Sequence, residues 1–218
     1  MLILALDTAQ ADCAACLFDT TNDVVLARTV ETIGKGHAER LMAVIDETLR
    51  QAGRAPSGFD RIAVNVGPGS FTGVRVGVST ARALALATRT ECVGVSSLSS
   101  LGFQARELAK GRAVMATIDA RRGEAYAQVF GGADGEALTE PSAYAYEALD
   151  GLMRRHDALA FGTGASVAGL EVAGDVTHIE IETIARIGAV ARPQGPVSPL
   201  YLRAPDARPQ AGFAVARR

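Results

Sequence analysis

An α/β protein made of two similar halves is what this sequence predicts, and three observations carry that expectation. Short apolar, β-branched runs alternate along the chain with segments whose apolar residues recur at helical spacing. A pattern met at the start returns in the second half: the apolar run 2–6 closed by Asp7, a turn and a strand to Phe18 is echoed by 113–118 closed by Asp119, a turn and the strand 124–130. The 218 residues are 48% hydrophobic and 21% charged, a composition that excludes disorder, collagen and coiled coil as the main state.

The elements follow in order. Apolar runs between turn residues predict strands at 2–6, 12–18 and 24–30, the last two joined by Thr21-Asn22-Asp23, which makes a three-stranded meander. Residues 37–51 read as a helix because Ala38, Leu41, Met42, Ile45 and Leu49 recur at helical spacing and Gly53 supplies a stop. Strand 62–66 leads into the tight turn Gly67-Pro68-Gly69-Ser70, and 72–88 is an alanine-rich helix. Strand 92–95 runs into Ser96-Ser97, a cap for a helix ending near residue 109. Beyond the repeated strands, 131–135 is a flexible hairpin tip and 145–155 a helix. Strand 159–161 runs into Gly162-Thr163-Gly164, and 181–191 is an amphipathic helix. From Arg192 the chain turns Pro-rich, and 204–218 is expected to be a mobile tail. The expected division is a first lobe over 1–100 and a smaller second lobe over 101–203, whose last helix is a candidate to pack back on the first.

Charge and motifs narrow the function. A net charge of −2 gives no global basic field, and the basic residues read as spread rather than striped, so the chain alone is not expected to hold nucleic acid. Arg203, Arg208, Arg217 and Arg218 are the candidates for a minor phosphate contact. The apolar start lacks a basic flank and soon meets Asp7, and no run approaches eighteen uncharged apolar residues. No signal peptide or membrane span is therefore expected, and the location should be cytoplasmic. Cys13-Ala14-Ala15-Cys16 has redox-pair spacing but lies in a predicted strand, where residues three apart point to opposite faces; Cys92 stands alone. His37, His156 and His178 form no i, i+4 pair for a metal. Ser70 has neither a nucleophile elbow nor a neighbouring base. His37, opening a helix after Gly36, reads as a solvated or capping residue.

The remaining groups suggest a phosphate-binding ancestry. Asp7 with Thr8, and Asp119, close strands beside turns, as in a fold that wraps a nucleotide and Mg²⁺ between duplicated halves; aspartate at a strand end is equally a turn residue. Gly67 and Gly69 precede a helix whose N–H groups could meet an anion, and Gly162 and Gly164 could admit an adenine or simply turn the chain. Neither glycine-rich phosphate fingerprint is matched, the turn Thr8-Ala9-Gln10-Ala11 has no glycine, and the only lysines are Lys35 and Lys110. In the helix 72–88, Gly73, Gly77, Ala81 and Ala85 recur every four residues, a ridge that lets another helix approach closely. Each glycine there costs about 1 kcal/mol relative to alanine, so something must pack on the ridge, either a partner or the chain itself. Val74, Val78, Leu84 and Leu86 widen the apolar surface, and Arg75 and Arg82 would rim it.

Taken together, LALDTA (4–9), GPGSFTGVRVGVSTARALA (67–85), VSSL (95–98), IDARRGEAY (118–126) and YLR (201–203) resemble the bacterial TsaB family, also called YeaZ. The resemblance spans nearly the whole chain. It implies the actin-like ATPase fold of the sugar kinase, Hsp70 and actin superfamily, two duplicated lobes with the second reduced. It also implies a function that composition does not reveal. Family members act with a catalytic paralogue, TsaD, and the ATPase TsaE to transfer a threonylcarbamoyl group from its adenylate to the adenosine beside the anticodon of certain tRNAs. Where TsaD-like proteins carry two metal-binding histidines four residues apart, this chain has Ser97 and Leu101, which hold no metal.

The resemblance therefore implies a non-catalytic subunit, a pseudoenzyme that meets tRNA only through the complex. It would pair through the helix bearing Gly73 to Ala85, with TsaD or with a second copy of itself when TsaD is missing. No tightly bound cofactor or metal is expected. ATP or ADP would be held weakly or at the partner interface, near vestigial phosphate positions at Asp7, Thr8, Gly67, Gly69, Asp119, Gly162 and Gly164. The alternative is a nucleotide-hydrolysing or kinase-like enzyme using Asp7, Thr8, Asp119 and the glycine turns. A metallopeptidase would need the missing ligand pair. The same resemblance places a histidine at position 37.

Overall fold

Strand β1 (Leu2–Asp7) is apolar on both faces, and that property sets the architecture. Ile3 and Ala5 enter one core and Leu4 and Leu6 another, so β1 must be central and covered on both sides. The computed structural model describes residues 1–193 and 195–203. Strands β2 (Asp12–Asp19) and β3 (Val24–Thr32) complete an antiparallel meander. Strands β4 (Arg61–Asn65) and β5 (Glu91–Val95) join in parallel, giving the order β3-β2-β1-β4-β5. Cys13 and Cys16 on β2 fall into opposite cores, as strand geometry requires of residues three apart. Burial pushes their thiols up to about 11 and about 12.

The second sheet repeats this order with one strand fewer. Strands β6 (Val114–Arg121), β7 (Glu124–Phe130), β8 (Ser142–Ala145) and β9 (Leu159–Gly162) run β8-β7-β6-β9, antiparallel except for the parallel β6–β9 pair. Thus β6 corresponds to β1, and Asp119 lies near the end of its strand as Asp7 ends its own. The helix after the inner parallel strand shows the reduction: α2 (Phe71–Thr88) has 18 residues in the first lobe, and α5 (Thr163–Val167) has five in the second. This is the duplicated α/β architecture that the sequence predicts, with the second lobe reduced.

Five layers result. Helices α1 (His37–Gln51) and α2 cover the outer face of the first sheet, with Leu41, Val44, Ile45, Val74, Val78 and Ala81 against Leu4, Leu6, Ile62 and Val64. Helices α3 (Ser97–Ala109) and α6 (Ile181–Val190) lie between the sheets, where one core runs from Ile3 and Ala63 through Leu98, Leu101 and Ile184 to Ala116 and Phe161. Helix α4 (Tyr146–Arg155) and α5 cover the far side of the second sheet. Helix α6 packs on the first sheet closely enough that a Cβ at Gly188 would lie 2.3 Å from that of Ala63, although its sequence follows the second lobe. The expected division at residue 100 lies within α3. Among the described residues, no helix is long and apolar enough to cross a membrane.

One local expectation is corrected, and two short elements are added. Ala38 and Met42 sit on the exposed side of α1, and Val44 and Thr48 take the inward positions. Strand β8 and helix α5 were not apparent because four and five residues are too short for either periodicity to emerge. Residues 204–218, with Arg208, Arg217 and Arg218, lie outside the described residues.

Candidate functional site

The turns at the strand ends of both lobes open on one cleft of about 960 Å³. Ala9, Gln10 and Ala11 line it from the β1–β2 turn, Lys35 and His37 from the start of α1, and Gly69, Ser70 and Thr72 from the start of α2. Asp119, Arg121 and Tyr126 face them from the second lobe. Ser70 caps α2 by accepting from the Gly73 N–H (3.2 Å), whereas α1 has Gly36 at its cap position and no side-chain cap.

Of the seven residues expected to mark a nucleotide site, only Gly69 and Asp119 line this cleft. Asp7 is 3% exposed and turned into the fold, its Oδ1 accepting the Ala9 N–H at 2.7 Å. Burial raises its carboxyl from 3.8 to about 6; the Ala9 N–H and the neighbouring Asn65 amide oppose that rise only partly, and Asn65 Nδ2 falls outside hydrogen-bond geometry. Thr8 is equally internal, donating its hydroxyl to the Gly73 carbonyl (2.7 Å). Gly67 adopts φ +92°, a conformation that favours glycine, and accepts the Ser97 N–H. Gly162 and Gly164 let α5 lie against β6, where added Cβ atoms would stand 2.0 Å from the Thr117 carbonyl and 3.0 Å from its Cβ. In this structure these five are engaged in the fold and do not line the cleft.

Asp119 is the cleft's carboxylate at the β6 turn. It accepts from Tyr146 Oη (2.6 Å) and from the Arg121 N–H (2.8 Å), and the first contact raises the Tyr146 phenol above its usual value. Phosphoryl transfer of the superfamily's type calls on carboxylates and bound Mg²⁺ around the phosphates. Here one of the two strand-end carboxylates is withdrawn into the protein. Ser97 donates its hydroxyl to Asn65 Oδ1 (2.8 Å), and Leu101 is buried between the sheets, so the two positions compared with a histidine pair are both committed to the fold. His37 differs from its expected solvated role: it is 6% exposed, and its Nε2 has no hydrogen-bond partner.

Helix α2 overturns another expectation. Gly73, Val74, Gly77, Val78 and Ala81 are buried against their own lobe, and Leu84 and Ala85 are partly buried there. A Cβ at Gly73 would sit 2.0 Å from the Thr8 carbonyl, and one at Gly77 would sit 2.6 Å from Thr8 Oγ1. The chain itself is the neighbour that the small residues admit. Of the nine residues expected at a partner interface, Arg75 and Arg82 are exposed. The outward face of α2 is instead Phe71, Thr72, Ser79, Ala83, Leu86 and Ala87, with Val76 half-buried, and beside it stand the exposed Ala38 and Met42 of α1. Leu86 is the one of these that the sequence points to; the others escape because a repeat of small residues every four positions does not say which side is covered.

Comparison with known proteins fits this architecture. Residues 28–168 match the profile of the family described as TsaD, tRNA N6-adenosine threonylcarbamoyltransferase. The chain is 36% identical over 126 residues to the tRNA threonylcarbamoyladenosine biosynthesis protein TsaB of Escherichia coli K12, covering 58% of this chain and 53% of that one. It also superposes on YeaZ from Pseudomonas aeruginosa with a TM-score of 0.70 at 27% identity, covering 86% of this chain and 90% of that one. The chain belongs to the TsaB (YeaZ) family. Over nearly its full length it is also 33% identical to an uncharacterized protein of Mycobacterium tuberculosis H37Rv, covering 96% and 95% of the two chains. The matches to TsaB of E. coli, Haemophilus influenzae and Bacillus subtilis span about half the length of those curated relatives. The TsaB segments that carried the resemblance map onto β1, α2, the start of α3, the β6–β7 hairpin and residues 201–203.

Proposed function

We propose that this chain is a non-catalytic subunit required by a TsaD-type transferase for threonylcarbamoyl transfer to tRNA. The observation that carries the reading is the inward turn of Asp7: the carboxylate that would serve chemistry from the first lobe is a core group capping its own turn. The names of the TsaB relatives supply the pathway. The chain works in the cytoplasm, with a TsaE-type ATPase as a further partner, and without membrane or tightly bound cofactor; ATP or ADP binds weakly at most, or where the paralogue completes the cleft.

The paralogue docks on the outward face of α1 and α2, and a second copy of this chain takes that place when the paralogue is missing. Met42, Val76, Ser79 and Ala83 give this face small and apolar side chains that let a facing helix pair approach closely. Two variants of α2, one on its exposed face and one on its buried face, test it by sedimentation velocity and thermal melting. Ala83→Glu, on the exposed face, is expected to abolish association and leave the melting temperature within a few degrees. Ala81→Glu, fully buried, is expected to unfold the chain. Undiminished association of Ala83→Glu discards this docking face.

A further inference from the structure

We infer that the outer edge of α2 contacts the phosphate backbone of tRNA through Arg75, Arg82 and Arg89, with Phe71 and Tyr201 offering ring surface at one end. The inference rests on the tRNA reading above. The three arginines are seven residues apart: on a helix with 3.6 residues per turn Arg75 and Arg82 stand nearly in line, about 10 Å apart, and Arg89 follows as the left-handed residue that closes the helix. All three are exposed. Residues 71–89 contain no aspartate or glutamate, in a chain whose net charge is −2. The basic residues, expected to be spread, therefore include one stripe.

Many arginines elsewhere are neutralised, among them Arg28 by Glu182, Arg40 by Glu31, Arg61 by Glu91, Arg112 by Asp157 and Arg186 by Asp23, and those that are not, such as Arg54, Arg121 and Arg155, lie outside α2. Among the described residues no carboxylate pairs with Arg75, Arg82 or Arg89. The helix dipole favours a cation at the C-terminal Arg89 but gives no reason for Arg75 and Arg82, which lie further up the helix. Arg75 is ordered by its neighbours. Its Nε donates to Tyr201 Oη at 2.8 Å, and its guanidinium carbon lies 3.8 Å from the centre of the Phe71 ring. Phe71 and Tyr201 are nonetheless 50% and 47% exposed. Tyr201 is held there by flanking contacts, the Leu200 N–H to the Val66 carbonyl (2.8 Å) and Arg203 to the Ala120 carbonyl and the Glu124 carboxylate.

A line of unpaired arginines ending in exposed rings suits phosphates and unstacked bases together, which is the chemistry of single-stranded or looped RNA. An acidic protein surface would use the charges but not the rings. The stripe borders the face of Ser79 and Ala83, so a paralogue docked there leaves the arginines at the rim, available to RNA held by both subunits.

The test measures binding of an acceptor tRNA transcript to the complex of this chain with a TsaD-type paralogue across a range of salt. Arg75→Gln/Arg82→Gln/Arg89→Gln is expected to weaken binding about tenfold or more near physiological salt. It should also flatten the slope of log Kd against log salt by about 2 to 3, since each lost phosphate contact removes about 0.7 to 0.9. Arg82→Gln/Arg89→Gln leaves the Arg75–Phe71–Tyr201 cluster intact and should flatten the slope by about 1.5. The triple lysine variant should keep the slope. Unchanged affinity and slope in a complex that still assembles overturn the proposal, and so does failure of the glutamine variant to bind the paralogue, which makes the edge a protein contact. If the wild-type pair does not assemble at all, the subunit reading fails separately. The stripe is then judged on the isolated chain at low salt, where a flattened slope supports it and an unaltered one overturns it.

Discussion

Replacing Asp7 by asparagine removes one ionisation from the core and should change how stability depends on pH. The carboxyl rises from 3.8 to about 6 because burial penalises the anion more than the Ala9 N–H and Asn65 stabilise it. The raised value means the folded state binds the proton more tightly than the unfolded chain does. The contribution is fully favourable below about pH 3.8 and is lost as pH rises through about 6, where it levels off about 3 kcal/mol lower. About 2 kcal/mol of that loss falls between about pH 4.5 and pH 7.5. The asparagine amide cannot ionise, so its curve lacks this component whatever constant offset the substitution adds. Urea unfolding of both proteins across that range reads the difference directly. The gap between them should move by about 2 kcal/mol in favour of Asp7→Asn as pH rises. Parallel curves would refute the reasoning, because they would mean that the Asp7 carboxylate is not penalised by its surroundings. A movement in the opposite direction would mean that the anion is stabilised, as it would be beside a bound cation.

Other consequences are equally direct. Gly73→Ala should destabilise the chain by about 3 kcal/mol or more, since its Cβ would stand 2.0 Å from the Thr8 carbonyl; Gly151→Ala, in α4 with open space around it, should gain up to about 1 kcal/mol, both read by urea unfolding. Cys13, Cys16 and Cys92, with thiols raised by burial to about 11, 12 and 11, should react with Ellman's reagent at pH 8 only after denaturation, and prompt labelling of the native chain would contradict their placement. ATP hydrolysis by the isolated chain should stay at background, in the wild type and in Asp7→Asn alike. Robust hydrolysis abolished by that variant would favour the kinase-like alternative.

Much of the fold was legible because its signals are local or periodic. The helix expected over 37–51 is α1 to the residue, and the echo of Asp7 in Asp119 marked the duplication that the two strand orders display. The site was harder to read because orientation is a tertiary property. A strand ending in Asp-Thr looks the same whether the carboxylate faces a cleft or caps its own turn. Gly73 and Gly77 announce a close neighbour without naming it, and the neighbour is Thr8 of the same chain. The burial of His37 carries no sequence signal, since the start of a helix is usually exposed. The seven-residue spacing of Arg75, Arg82 and Arg89 was present in the sequence, but it became a stripe only once the structure put the opposite side of α2 in the core.

The central claim is that this chain enables a paralogue's chemistry and performs none. Its most direct test is threonylcarbamoyl transfer from the preformed adenylate to an acceptor tRNA, catalysed by a TsaD-type protein with a TsaE-type ATPase, with and without this chain. Product that accumulates only when this chain and the paralogue are both present, and never with this chain alone, is the expected result. Transfer at an undiminished rate without this chain, or transfer by this chain without the paralogue, would contradict the account.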